Sequence, residues 1–229
     1  FRFALGRNPS PQEAAWAIDF LQNGLATDSA DDQPQRRPWQ FGWGSRDEST
    51  GQVSFHSLPQ FTGSAWQGGD QLPDAKLGWA MLNADGGHPG DAGHATIRRF
   101  IAPTSGTLRI HGTLAHSSDE GDGVRARVVL ARHGIVGSWT ADGAEVSTNV
   151  DAREIEAGDV VDFLVDCRDS TSHDSYRWSL TVTIAHAANG VKSVWNSAEG
   201  FHGPLPAPLS NWEQIAQALL MSNEFVYVD

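Results

Sequence analysis

Tryptophan is the residue through which this chain most plainly offers chemistry. Nine of its 229 residues are Trp, roughly three times the usual share. Trp39, Trp43, Trp66, Trp79, Trp139 and Trp178 fall in the middle of the sequence. Sugar rings present apolar C–H faces that stack on aromatic planes, while neighbouring polar groups bond the hydroxyls. Trp39-Gln40-Phe41-Gly42-Trp43-Gly44 and Trp66-Gln67-Gly68-Gly69-Asp70 mix aromatics, amides and glycines in that manner. The competing reading is that these indoles fill a core. Two or more on one exposed surface would favour sugar.

A second signal is basic. Lysine occurs only at Lys76 and Lys192, so arginine carries the positive charge. In the alternating segments described below, Arg109, His111, Arg125 and Arg127 take the outward parity, with Arg98 or Arg99 as a further member. On neighbouring strands they would form one basic strip. Guanidinium forks bind carboxylate or sulfate in bidentate fashion, which suits an acidic polysaccharide. The competing reading pairs them with Asp162, Asp166 and Glu120 across strands, at ~0.2–1 kcal/mol per pair.

Two acidic loops come third, Asp119-Glu120-Gly121-Asp122-Gly123 and Asp166-Cys167-Arg168-Asp169-Ser170-Thr171-Ser172-His173-Asp174. Calcium takes six to eight oxygens, often from such turns. The helical calcium loop is absent, since Asp119 and Asp122 lack the rest of its ligand ladder. A structural calcium held by Asp119 and Asp122 is therefore weighed against plain solvated turns. Among the histidines, His88 and His94 flank Pro89-Gly90-Asp91-Ala92-Gly93, a loop suited to hold His88 at a pocket rim. A transition metal needs three convergent ligands, and the spacing of His88, His94, His111, His116 and His173 shows no convergence.

No Gly-x-Ser-x-Gly elbow, His-Glu-x-x-His helix or phosphate-cradling Gly-x-x-x-x-Gly-Lys loop occurs. Cys167, the single cysteine, falls on the inward parity of its segment, which favours burial over nucleophilic reactivity. It also excludes an internal disulfide framework and a thiolate zinc cluster.

The elements that must position these residues are mainly strands. Leu108, Ile110, Gly112 and Leu114 alternate with Arg109, His111 and Thr113. Val124–Leu130, Val161–Cys167 and Leu180–Ile184 repeat the period of two. Glycine turns at Gly106, Gly121, Gly123, Gly143 and Gly158 separate the runs. Short strands so punctuated, with no helical pattern between them, predict an antiparallel, jelly-roll-like β-sandwich over residues 38–186. Helical segments are predicted over 1–27 and 203–229. Ser10-Pro11-Gln12-Glu13 and Ser210-Asn211-Trp212-Glu213 each read as a capping box, followed by an apolar stripe at helical spacing. Neither helix would be stable alone, so the two are expected to pack together, with the sandwich inserted between them. Asp28–Arg37 and Gly203–Pro208 read as linkers.

Both ends resemble the C-terminal region of planctomycete-type, cytochrome c-associated proteins of unknown function. The resemblance is carried by Phe1-Arg2-Phe3-Ala4-Leu5-Gly6-Arg7-Asn8-Pro9-Ser10 with Glu13, and by the closing segment Trp212–Asp229. It implies a parent protein that is exported, to the periplasm or cell surface, with a haem domain upstream as a partner. No Cys-x-x-Cys-His occurs here, so no haem is expected in this chain. The middle, with Phe61-Thr62-Gly63-Ser64-Ala65-Trp66, Gly86-Gly87-His88-Pro89-Gly90 and Gly121-Asp122-Gly123-Val124-Arg125-Ala126-Arg127, looks like a carbohydrate-binding module in architecture.

Composition fits. Net charge is -12 and the pI about 5.0, a field that repels a phosphate backbone and makes nucleic acid an improbable partner. No apolar run approaches the ~18 residues of a membrane span, so an integral membrane protein is not expected. The chain begins Phe1-Arg2-Phe3 without a Met, which reads as a segment of a longer protein. The leading expectation is a non-catalytic carbohydrate-binding sandwich for acidic or complex polysaccharide. Its ligand residues would be Trp43, Trp66, Trp79, His88, Arg109, His111, Arg125, Arg127 and Tyr176. A structural or protein-interaction spacer is one alternative. The other is part of an enzyme whose site is completed upstream, which would show a deep pocket with paired carboxylates or a metal.

Overall fold

The structure is a computed structural model that describes residues 1–23, 37–186, 190–205 and 209–221. Most of the first linker, Pro206–Pro208 of the second and Ser222–Asp229 of the closing segment lie outside the described residues. In chain order the elements are α1 (Arg2–Leu5), α2 (Pro11–Asn23), β1 (Trp39–Arg46), β2 (Val53–Ser57), β3 (Gln60–Phe61), β4 (Ala65–Gln67), β5 (Met81–Asn83) and β6 (Gly86–His88). Then follow β7 (Ala95–Ile101), β8 (Gly106–His116), β9 (Val124–Leu130), β10 (Gly134–Ala141), β11 (Glu145–Ser147) and β12 (Val150–Ile155). The last are β13 (Val160–Asp166), β14 (Tyr176–His186), β15 (Lys192–Asn196) and α3 (Asn211–Leu220). They fall into two units, Arg37–Pro204 and a second one formed by the helices of both ends.

The larger unit is the expected sandwich, but it runs past residue 186 to Pro204, because β15 pairs with β14 and adds a further strand. One antiparallel sheet has the order β10-β9-β13-β7-β1-β2; the other runs β11-β8-β14-β6-β5-β4-β3, with β12 also on β8 and β15 also on β14. The chain changes sheet at β2–β3, β6–β7, β7–β8, β8–β9, β10–β11, β12–β13 and β13–β14, the winding of a jelly roll. Alternation decides which side chains meet between the sheets. Leu108, Ile110 and Leu114 of β8, Val124, Ala126 and Val128 of β9, and Val161, Phe163 and Val165 of β13 are all buried in one core. The two sheets interlock through aromatics: Phe163 meets Trp178 edge-on at 5.7 Å between centroids, and Phe100 meets Trp195 at 5.4 Å. Such contacts contribute about 0.5–1.5 kcal/mol each beyond their buried area.

The outer face of the first sheet departs from simple alternation. Ile97, Val129 and Leu164 are buried there as a second cluster, with Val53 and Phe55 of the edge hairpin packed on it. Strand β2 pairs with β1 at the sheet edge so closely that a Cβ on Gly42 would overlap the His56 carbonyl. A side chain at that position would push β2 off β1.

In the helical unit both capping boxes form. Glu13 N donates to Ser10 Oγ at 3.2 Å while Ser10 N donates to Glu13 Oε2 at 2.6 Å. Ser210 and Glu213 repeat the exchange at the start of α3. The Asn211 side chain donates to the Phe20 carbonyl at 3.2 Å, and Phe20 and Ile215 are buried. The two end helices thus pack together, as expected. No helix among the described residues is long and apolar enough to cross a membrane.

Candidate functional site

Two loops bring Trp43, Trp79 and His88, three of the expected aromatic and histidine residues, to one rim of the sandwich. The loop of residues 74–80 is tied off by Asp74, whose carboxylate accepts from the Lys76 and Leu77 amides at 3.0 and 2.8 Å. Those backbone amides, Leu77's first, hold the Asp74 carboxyl below its ordinary pKa. The loop of residues 88–94 is closed by Gly90 N donating to the His94 carbonyl at 2.9 Å. The loops touch: a Cβ on Gly90 would lie 2.6 Å from the Leu77 carbonyl, so only glycine lets them approach.

Each loop contributes to two aromatic contacts. Trp43 of β1 is half-buried; its ring stacks on His56 at 4.6 Å and meets His94 at 5.0 Å, and Lys76 Nζ sits 5.4 Å from its centroid. Trp79 lies 6.0 Å from His88 and is 44% exposed. It is the one exposed indole of the sandwich among the described residues, so two or more fully exposed tryptophans do not share a surface as the sugar reading asked; Trp43 beside it is half-buried. Asp91 bridges within the second loop, its Oδ1 2.5 Å from His94 Nδ1.

His88 is chemically defined by its neighbours. Its Nδ1 lies 2.6 Å from the Pro89 carbonyl, an acceptor, so Nδ1 carries the proton. Burial pushes its pKa below the ordinary histidine value; the Pro89 carbonyl pulls the other way and His116 adds to the lowering. The ring is therefore neutral at pH 7, and Nε2 is left as an acceptor beside an exposed aromatic plane.

The basic strip does not form. Arg109 and His111 are exposed on β8 in one sheet, whereas Arg125 and Arg127 stand on β9 in the other. Arg127 Nη2 donates to Asp166 at 2.6 Å and Nη1 to Glu48 at 2.7 Å, and Arg125 shares Asp166 at 3.2 Å. Arg99 makes a fork to Asp162 at 2.7 and 2.9 Å and covers the Phe55 ring at 4.2 Å. Asp162 and Asp166 stand on the adjoining strand β13 and Glu48 in the β1–β2 turn, so these acids take up the guanidinium groups of Arg99, Arg125 and Arg127. Arg98 points inward instead. It is buried, and its Nη2 donates to the carbonyls of Asn83 and Gly86 at 2.6 and 2.9 Å.

Tyr176 also leaves the expected ligand set. It is buried, with its hydroxyl 2.8 Å from Thr96 Oγ1, because the first residue of β14 faces the core. Trp66 is half-buried away from the rim contacts: its Nε1 donates to the His202 carbonyl at 2.7 Å and its ring packs on Phe61. Trp39 and Trp178 are core residues. Cys167 is buried as expected, its thiol pushed up to about 11 by burial and by Asp174, Asp166 and Asp122.

Asp119 and Asp122 do not form a calcium pair. Asp119 is exposed, while Asp122 turns inward: its Oδ2 accepts from Asp169 N at 3.0 Å and its carbonyl accepts from the Arg168 guanidinium. No three His, Cys, Asp or Glu side chains among the described residues are grouped to hold a metal. A cavity of about 430 Å³ opens elsewhere in the sandwich, lined by Trp39, Trp195, Glu199 and His202 among others, without paired carboxylates. Sequence reasoning singled out Trp43, Trp79 and His88, but it missed His56 and Lys76. Lys76 lies in an aperiodic loop, and His56 in the five-residue strand β2, whose short alternation of Val53 and Phe55 with Ser54 and His56 the sequence reading did not use.

No family model matches the chain, and no curated protein matches it. Among solved structures it is similar to the C-terminal CBM6 of LamC, a marine laminarinase from Zobellia galactanivorans. That match has 17% identity over 38% of this chain and 72% of that one, with a TM-score of 0.25. It is also similar to the PA14 domain of the MpAFP antifreeze protein, at 11% identity over 71% of this chain and 88% of that one, with a TM-score of 0.31. At TM-scores this low, neither likeness says anything of this chain's ligand.

Proposed function

We propose that the sandwich is a non-catalytic carbohydrate-binding domain whose ligand lies across the rim of the 74–80 and 88–94 loops. One observation carries the reading: the exposed Trp79 indole stands 6.0 Å from a His88 whose neighbours favour the neutral, Nε2-accepting form. An apolar plane beside a fixed acceptor matches the two faces of a sugar, C–H on one side and hydroxyl at the edge. Lys76 and the Asp91–His94 pair add polar groups on the same loops. With Arg99, Arg125 and Arg127 neutralised by Asp162, Asp166 and Glu48, and Arg109 on the other sheet, support for an acidic polysaccharide falls away, and a neutral polysaccharide or oligosaccharide fits better. The export implied by the two ends is part of the same proposal, since extracellular glycan would then be within reach.

Retention on a panel of immobilised neutral and acidic glycans tests this. Wild type should be retained on at least one neutral glycan, and Trp79→Ala should lose that retention with an unchanged melting temperature. Trp66→Ala, away from the rim, should lose stability rather than selectivity. Absence of wild-type retention on every glycan would remove the proposal.

A further inference from the structure

At the mouth of the sandwich where β8 passes to β9 and β13 to β14, two loops are knit together. Arg168 donates to the Asp122 carbonyl, Asp169 N to Asp122 Oδ2, and His116 Nε2 lies 2.8 Å from the His173 carbonyl. His173 and Glu120 pair across the same loops at 3.0 Å. Within this well-bonded seam, three carboxylate oxygens have no hydrogen-bond partner and no solvent: Asp122 Oδ1 and both oxygens of Asp174. Asp174 is 0% exposed. A buried carboxylate without a donor costs several kcal/mol, so such groups are matched by a cation or neutralised.

We propose that Asp122 and Asp174 hold a divalent cation between these loops, calcium by their chemistry. Both oxygens of Asp174 are free for bidentate ligation, which calcium accepts readily and the smaller magnesium does not. The donor set is all oxygen. Asp166 is already committed to Arg125 and Arg127, and Arg168 donates to the Asp122 carbonyl, with no bond to any of the three orphan oxygens. With two carboxylates as its side-chain ligands, the site is completed by main-chain oxygens and water. It replaces the Asp119 and Asp122 pair expected from the sequence, keeping Asp122 and exchanging an exposed partner for a buried one. It stands independently of the sugar reading.

The test is thermal melting of the full chain at pH 7.5 after stripping with EDTA, then with CaCl2 or MgCl2, alongside calorimetric titration of CaCl2. Calcium should raise the melting temperature by roughly 5 °C or more at saturation and bind at one ion per chain, with magnesium less effective. Asp174→Asn should abolish the response and Asp119→Asn should keep it. If Asp174→Asn does not fold, Asp122→Asn serves in its place. Melting that ignores calcium, or a full response in the Asp122 or Asp174 variant, would overturn the proposal. So would a wild type stabilised equally by lowering the pH from 7 to 4 with or without calcium, since a proton would then satisfy the pair.

Discussion

Arg127 and Asp166 meet at 2.6 Å on adjoining strands, both largely shielded from water, and this pairing removes from the surface a cation that the sequence offers for ligand binding. Burial works against the Arg127 charge, but Asp166 and Glu48 more than restore it, and its pKa stands above the ordinary arginine value. Arg125 shares the same carboxylate with its own side chain 45% exposed. The two arginines should therefore differ. Arg127→Ala removes the closer of two guanidinium partners from a shielded carboxylate and should cost about 1–3 kcal/mol. Arg125→Ala should cost under about 0.5 kcal/mol. Neither should change glycan retention. Urea unfolding of both variants, paired with the retention assay, checks this.

Tyr176 should behave as a core residue. Tyr176→Phe leaves Thr96 Oγ1 without its partner in a buried site and should cost about 1–3 kcal/mol. Retention should stay unchanged once the variant is folded. Loss of retention at unchanged stability would return Tyr176 to the ligand set.

The pH dependence of binding follows from His88. Only the neutral ring accepts a hydroxyl proton at Nε2, and burial holds its folded pKa below the ordinary 6.5. Retention should be flat from alkaline pH down through 6.5 and weaken only below that value, as the folded ring takes its second proton. The same depressed pKa makes the unfolded chain bind the proton first, so stability too should decline as pH falls below 6.5. A retention midpoint above 6.5 would contradict the neutral-acceptor role.

Much of the sandwich was legible because alternation is a local signal. The buried sets of β8, β9 and β13 are those that the period of two marks, and the two Ser–Glu capping boxes are visible in four residues each. In Ala95–Ile101 apolar residues occur at both parities, because one face covers the main core and the other the Ile97, Val129 and Leu164 cluster. Parity could not say that Arg98 turns in while Arg99 turns out. The site was harder still. Exposure of Trp79 depends on how two aperiodic loops touch through Gly90 and Leu77, and the isolation of Asp174 depends on one loop folding over another. Such closures are set by contacts distant in sequence.

Whether Trp79 meets the sugar is read most directly from indole N–H resonances in nitrogen-15 spectra, titrated with soluble oligosaccharides of the retained glycan. The Trp79 resonance should shift in proportion to occupancy, while those of Trp39 and Trp178 stay in place. A glycan that binds yet leaves the Trp79 indole unmoved would contradict the rim as the site of recognition.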